Sequence, residues 1–358
     1  MNNKSLLILA LITIVIIVAA AISSSDRAPQ TVIEKPLLSA EIKDRINDVA
    51  QIIIESADHV VHITKMDDEW AIMQADNYPA RFEKVKKLVL DVADFKILSE
   101  KTSNPELFAE LGVEDPGADN SRSTLLSLLD GTGNNLSSII LGKTRSADAL
   151  YVRKAGSNNT YLIEGQADAS TDPADWIEKA LLDIANERVM EVTIQHPEDD
   201  VVNLIRARDS ENFTLTNIPE GRKSRSEYFT NQPGTFLADL TIENARSRET
   251  FIFSEPQVIT TIKTYDGLVA TMNSAKIDNL NYVAINFSVD ETLIRQDVGG
   301  DENNTIVIGE QATEQLDVRQ EMEQLNDIVS KWVFVIPQSR YLLLGKRLEE
   351  LTDTIEQQ

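Results

Sequence analysis

The residues around position 52 return 140 positions later, and a chain that restates itself at one interval folds as tandem copies of a single unit. Val192-Thr193-Ile194 repeats Ile52-Ile53-Ile54, Asp200-Val201-Val202 parallels His59-Val60-Val61, and Asn212-Phe213 parallels Glu69-Trp70. Pro219 falls 140 after Pro79. Further on, Val258 to Lys263, the turn Tyr265-Asp266-Gly267 and Leu268 to Met272 restate a hairpin of the first copy.

Within the first copy the pattern is short strands with one covering helix. Val49 to Glu55, His59 to Lys65 and Glu69 to Gln74 alternate apolar and polar residues or run β-branched, which predicts a three-stranded meander. Arg81 to Ala93 places Phe82, Val85, Leu88, Val89 and Val92 at helical spacing, with the charges largely opposite. Asn104-Pro105 ahead of Glu106 to Leu111, with Gly112 behind, predicts a short capped helix. Two hairpins follow over 123–164, and Asp172-Pro173 predicts a closing helix through Trp176, Ala180, Leu181 and Ile184. The second copy departs from this order with a polar insertion around 297–304 and an amphipathic helix from about Glu310 to Val329. The expected fold class is therefore α+β: two tandem related repeats of antiparallel sheet plus covering helices, after one N-terminal transmembrane helix. The expected boundaries are an anchor at 1–22, a juxtamembrane linker at 23–47, a first repeat at 48–187, and a second repeat at 188–358 carrying the helical insertion and a C-terminal tail.

The anchor rests on Ser5 to Ile22, eighteen residues apolar except for Ser5 and Thr13. At about 1.5 Å per residue that length approaches a hydrocarbon core of about 30 Å. Lys4 precedes it and Asp26 is the first charge behind it, which keeps the N-terminus in the cytoplasm and sends the body outward. Ala19-Ala20-Ala21 also offers small residues for a signal peptidase, so cleavage is the competing expectation. Either way the body is exported, and the expected location is the bacterial inner membrane, single-pass, with the C-terminal body in the periplasm.

Chemistry is sparse along the chain. Fifty-eight acidic against 34 basic residues give a net charge of -24, which repels nucleic acid, and the absence of cysteine removes thiolate metal sites, cysteine nucleophiles and lipoprotein attachment. Leu141-Gly142-Lys143-Thr144 has the end of a phosphate-binding loop, but the earlier glycine is replaced by Ser137 inside a strand, so a strand end is the better reading. His59 and His62 alternate to opposite faces of a strand, and His196 is the one other histidine. The acidic clusters Asp67-Asp68-Glu69, Glu198-Asp199-Asp200 and Asp301-Glu302 fall in predicted turns and lack calcium-loop spacing. No serine-nucleophile signature is present. The expectation is no catalytic, cofactor-binding or metal residue and no cofactor; a carboxylate hydrolase would need two facing acids. Trp332 and Tyr341, in the closing segment, are the candidate partner contacts.

The order of pieces resembles a bacterial family known as a domain of unknown function, whose members carry one N-terminal anchor. The resemblance rests on Glu69-Trp70-Ala71-Ile72, Leu88-Val89-Leu90, Leu111-Gly112-Val113-Glu114-Asp115-Pro116, Ile140-Leu141-Gly142-Lys143, Tyr151-Val152-Arg153 and Tyr161-Leu162-Ile163, with Trp332 to Pro337 as the closing segment. The second copy lacks clear counterparts of Leu111-Gly112 and Leu141-Gly142-Lys143. Members are often encoded beside ABC-2-type transporter components related to gliding-motility auxiliary proteins. The resemblance thus implies a non-catalytic, membrane-anchored periplasmic accessory or scaffold docking on a membrane complex such as an ABC-type transporter. The alternative is a periplasmic binding module for a cell-envelope glycan or small ligand in the cleft between repeats.

Overall fold

The computed structural model describes residues 35–253, 257–298 and 317–355. The candidate anchor at 5–22 and the acidic pair Asp301-Glu302 lie outside them. Among the described residues no helix is long and apolar enough to cross a membrane.

The first unit is a single nine-stranded antiparallel sheet. Its strands are β1 Val49–Glu55, β2 Val60–Met66, β3 Glu69–Ile72, β4 Tyr78–Pro79, β5 Lys96–Glu100, β6 Thr124–Asp130, β7 Asn135–Ser146, β8 Ala149–Lys154 and β9 Thr160–Glu164. Their spatial order is β4-β3-β2-β1-β6-β7-β8-β9-β5, so the expected meander and the two expected hairpins are parts of one surface. The second unit contributes β10 Ala180–Leu182, β11 Val189–Gln195, β12 Val201–Ile205, β13 Thr214–Leu215, β14 Arg222–Ser224, β15 Leu240–Thr241, β16 Asn244–Ser247, β17 Val258–Thr264, β18 Leu268–Ile277, β19 Leu280–Val289, β20 Trp332–Val335 and β21 Thr352–Thr354. Eight of these lie in the order β13-β12-β11-β17-β18-β19-β20-β16, while β10 with β15 and β14 with β21 form ribbons. Apart from β4, the two sheets have the same strand order.

The likeness of the two sheets reaches down to an irregularity. In β1 the buried residues are Val49, Ile52 and Ile54, an odd step followed by an even one, and strict alternation would send Val49 to the wrong face. A bulge between Val49 and Gln51 in the pairing with β6 corrects the parity. The same bulge separates Val189 from Glu191 in the pairing of β11 with β17, and there Val189, Val192 and Ile194 are buried.

Helices cover the sheets. They are α1 Ala40–Lys43, α2 Phe82–Ala93, α3 Phe108–Leu111, α4 Glu227–Asn231, α5 Glu291–Val298, α6 Val318–Val329, α7 Gln338–Leu344 and α8 Leu348–Leu351. α2 buries Val85, Leu88, Val89 and Val92 at the spacing the sequence shows. In the second unit the covering element is the five-residue α4 and a 3-10 turn at Pro233–Thr235; Pro233 has no N–H to continue a helix. α6 packs on β19 instead, and the first part of the helix expected from Glu310 lies outside the described residues.

Two expectations are corrected. The helix expected from Asp172 to Ile184 is a single 3-10 turn, Pro173–Asp175, capped by Asp172, whose side chain accepts from the N–H of Ala174. Beyond it the chain is drawn into extended pairing: Ala80 bridges Ile177, and β10 pairs with β15. Second, the linker expected over 23–47 is packed structure from Lys35 onward. The N–H of Ile97 donates to the carbonyl of Pro36 (2.8 Å), Leu37 bridges Lys96, and Leu38 and Ile42 are buried. Two buried apolar side chains in nine residues take this stretch out of water, which a solvated spacer does not do.

Candidate functional site

The motif residues of the first unit converge. α3 ends at Leu111, and Gly112, at φ +69°, turns the chain in the left-handed region that favours glycine. Gly142, on β7, lies directly against that turn: a Cβ there would sit 2.6 Å from the Leu111 carbonyl oxygen and 2.6 Å from Val113 Cγ1. Its neighbour Lys143 donates from Nζ to the carbonyls of Ala109 (3.2 Å) and Glu110 (2.8 Å), closing the exposed end of α3. From β8, Arg153 is almost wholly buried and donates three ways: Nε to the Val113 carbonyl (2.8 Å), Nη1 to the Ser157 carbonyl (2.9 Å) and Nη2 to Asp115 (2.7 Å). Its guanidinium also stacks 4.6 Å from the Phe108 ring. Phe108, Val113 and Ile140 fill the small apolar core beneath. Lys143 is thus a helix-capping group on a strand, in keeping with its place outside any phosphate loop.

On the other side of the first unit α2 leaves a groove. The helix buries one stripe, but Phe82 is 56% and Leu90 41% exposed. Phe82, Lys86 and Leu90 follow each other at intervals of four and so share one flank. Lys86 Nζ lies 5.8 Å from the Phe82 ring, while its ion pair with Glu83 is loose at 3.7 Å. Between this flank and the sheet is a hollow of about 380 Å³ lined also by Ile46, Val49 and Trp70, with Lys65 and Asp68 at its rim. An apolar floor with a charged rim is the anatomy of a protein-docking groove.

The candidate contacts Trp332 and Tyr341 take part in different packing. Trp332 is half-buried on β20; its ring meets Tyr78 edge-on at 4.8 Å, and Tyr78 lies 6.3 Å from Phe334. This is the junction of the two units, because Tyr78 belongs to the edge strand β4 of the first sheet and β20 lies beside the edge strand β16 of the second. Asp76 fastens it, accepting from Arg246 Nε (2.8 Å) and from the Ser247 N–H (3.0 Å). Burial, then the charge of Glu178, pushes the Tyr78 hydroxyl up to about 12. Trp332 also borders a hollow of about 420 Å³ with Arg248 and Lys331. Tyr341, on α7, is half-buried against the second core, and burial raises its hydroxyl.

The remaining sequence candidates are engaged locally. Asp67 and Asp68 have positive φ and form the β2–β3 turn, and Asp199 does the same before β12. His196 is buried with Nε2 3.1 Å from the Lys346 carbonyl. Among the described residues no group of three or more His, Asp or Glu converges as a metal site. Sequence reading did not single out Arg188, which grips both oxygens of Glu321 on α6 and Asp266 on the β17–β18 turn, each at 2.7 Å. Glu321 and then Asp266 hold its guanidinium above the usual arginine range, against the effect of burial.

The family model for a domain of unknown function, DUF4340, matches residues 70–253, just over half of the chain. The chain belongs to the DUF4340 family. The matched span opens on β3 and closes after β16, so it holds the whole motif cluster around Gly112, Gly142 and Arg153 and the inter-unit junction at Tyr78 and Asp76. It leaves β1 and β2 before it and β17 to β20 behind it, so the DUF4340 span contains neither sheet whole. No curated protein and no solved structure matches the chain.

Proposed function

We propose that this DUF4340 protein is a non-catalytic, membrane-anchored periplasmic scaffold that docks on a membrane complex, with an ABC-type transporter as the class of partner. The observation that supports docking is the groove beside α2. Exposing Phe82 and Leu90 on one flank of a helix whose other apolar residues are buried leaves surface that a partner helix would cover at roughly 25 cal/mol per Å². Rigidity supports it as well. The Arg153, Lys143 and Gly142 cluster locks the far side of the same sheet, and the Tyr78–Trp332 junction ties the two units together, so the groove is offered on a preorganised frame. The anchor at 5–22 supplies the membrane and the outward orientation in this reading, and Trp332 with Tyr341 contributes secondary contact. The glycan alternative is less favoured because the junction aromatics Tyr78, Trp332 and Phe334 stack on one another instead of presenting flat faces to a cleft.

The test is affinity capture of the full chain from solubilised membranes, wild type against Phe82→Asp and Leu90→Asp. The expected result is one stoichiometric membrane partner with the wild type and its loss with both variants. Recovery of the protein alone, or a partner indifferent to both substitutions, overturns the proposal. A C-terminal reporter active in the cytosol alone would remove the compartment and with it the class of partner.

A further inference from the structure

We infer that copies of this chain associate head to tail, the free β13 end of one second unit docking on the free β5 edge of the next chain's first unit, by the contact that already joins the two units within one chain.

The argument starts from the polarity of that internal junction. The first unit uses one end of its sheet, the β3–β4 end, and the second uses the opposite end, β20 with β16. Because the two sheets share their strand order, each chain is left with one unmatched end of each kind: the β13 end of the second unit and the β5 end of the first. An interface between unlike patches does not close on itself by a two-fold axis, so a second chain repeats it.

Both unmatched ends carry an exposed apolar side chain at the place the junction uses. Tyr78 is the side chain that the first unit inserts; the position 140 later is Ile218, 40% exposed, directly before Pro219 as Tyr78 is before Pro79. On the receiving side, the early residues of each edge are already covered by the chain itself. Leu37 bridges Lys96 in the first unit, and β10 pairs with β15 in the second. Past that cover, β16 receives Asp76 through Arg246 and Ser247, and the corresponding stretch of β5 presents Leu98, 39% exposed. Charge follows the same sense. An acid meets a base at the internal junction; the position 140 after Asp76 is Thr216, and the acid at this end is Glu220, exposed two residues beyond Ile218, while Lys96 and Lys101 are exposed on either side of Leu98 with Glu100 between. The external contact lacks the covalent linker that raises the effective concentration of the internal one, so it is weaker and concentration-dependent.

The absence of cysteine makes a direct test possible. The full chain in detergent is prepared as Leu98→Cys, as Ile218→Cys and as the double variant, then oxidised mildly. The expected result is a ladder of covalent multimers from the double variant, dimers alone from a mixture of the two single variants, and monomer from each single variant by itself. Cross-linking of a single variant on its own would show a two-fold contact and overturn the inference. Should the sulfurs be misaligned, sedimentation velocity decides. The wild-type mass is expected to rise with concentration toward about 0.1 mM, where a weak contact is populated, and Ile218→Asp is expected to stay monomeric. A wild type that is monomeric throughout, or an Ile218→Asp variant that associates equally, overturns it.

Discussion

Replacing Arg153 by leucine should unfold the motif side of the first unit far more than its single charge would indicate. The guanidinium is nearly solvent-free, and its three donors satisfy the Val113 and Ser157 carbonyls and Asp115. Leucine fills part of the volume but leaves two inward carbonyls without donors, and removing one side of such a buried network costs about 3–5 kcal/mol. Asp115 itself is a poor contributor, because its side chain is 73% exposed and an ion pair with one end in water is worth about 0–1 kcal/mol. The ordering is therefore the discriminating part: Arg153→Leu severe, Arg153→Lys intermediate because an ammonium cannot make the forked contacts, and Asp115→Asn mild. Thermal unfolding followed by circular dichroism should show Arg153→Leu lower by roughly 10 °C for a unit of this size. Limited proteolysis should place the new cleavage between 104 and 116. An Arg153→Leu protein within about 1 kcal/mol of wild type, or Asp115→Asn as damaging as Arg153→Leu, refutes the view that the carbonyls are what Arg153 is for.

The other predictions follow from the same contacts. Gly142→Ala puts a methyl against the Leu111 carbonyl and should cost about 1–3 kcal/mol by overpacking, whereas Gly117→Ala, with nothing within 4 Å, should be near neutral in the same melt. Arg188→Gln should free α6, read as faster amide exchange over 318–329 with exchange in β1 unchanged; equal protection in both would refute the tether. Tyr78 is held as the neutral phenol by burial, so its contribution is complete below the ordinary tyrosine value of about 10 and is lost as pH rises through about 12. An absorbance titration should find one tyrosine ionising that late, and Tyr78→Phe should remove it. Asp130 behaves in the opposite sense: hydrogen bonds from the Thr132 hydroxyl and then the Asn134 N–H hold its carboxyl down to about 2, so the β6–β7 turn is intact above the usual aspartate range and loosens only as pH falls through that value, which a carboxyl NMR titration would show.

What the sequence made legible was whatever repeats or alternates. The offset of 140, the strands from β1 to β3, and α2 with its buried stripe can all be read from side-chain period alone. The bulge at Val49 cannot, since it is visible only as a parity error whose repair belongs to the partner strand. β5 and β16 were missed because edge strands such as Lys96–Glu100 and Asn244–Ser247 are polar and short, and their extended form comes from pairing with β9 and β20. The helix expected from Asp172 failed for a related reason. Its capping signal is genuine, but Trp176 and Ile177 are fully buried and Ile177 bridges Ala80 of the first unit, which draws the chain into extended pairing after one turn. The motifs at Gly112, Gly142 and Arg153 could be seen individually, yet that they form one cluster depends on the order of β7 and β8, which no local pattern encodes.

The comparison between the two units separates what the fold requires from what the protein uses. Both retain the bulge, the buried β1 and β11 residues and the strand order, and those are the parts any copy must keep to pack. They diverge in the covering helix. The twelve residues of α2 make a full-length flank with Phe82 and Leu90 exposed, while Pro233 confines the second unit's cover to α4 and a 3-10 turn. Gly234 is then needed because a Cβ would lie 2.6 Å from the Phe213 ring, so the shorter cover sits tight against Phe213. The second unit has instead gained α6, held by Arg188, and the β20 aromatics that receive Tyr78. The two units thus share strand order and bulge and differ in cover: a twelve-residue helix flanked by a groove in the first, a short helix and a 3-10 turn in the second.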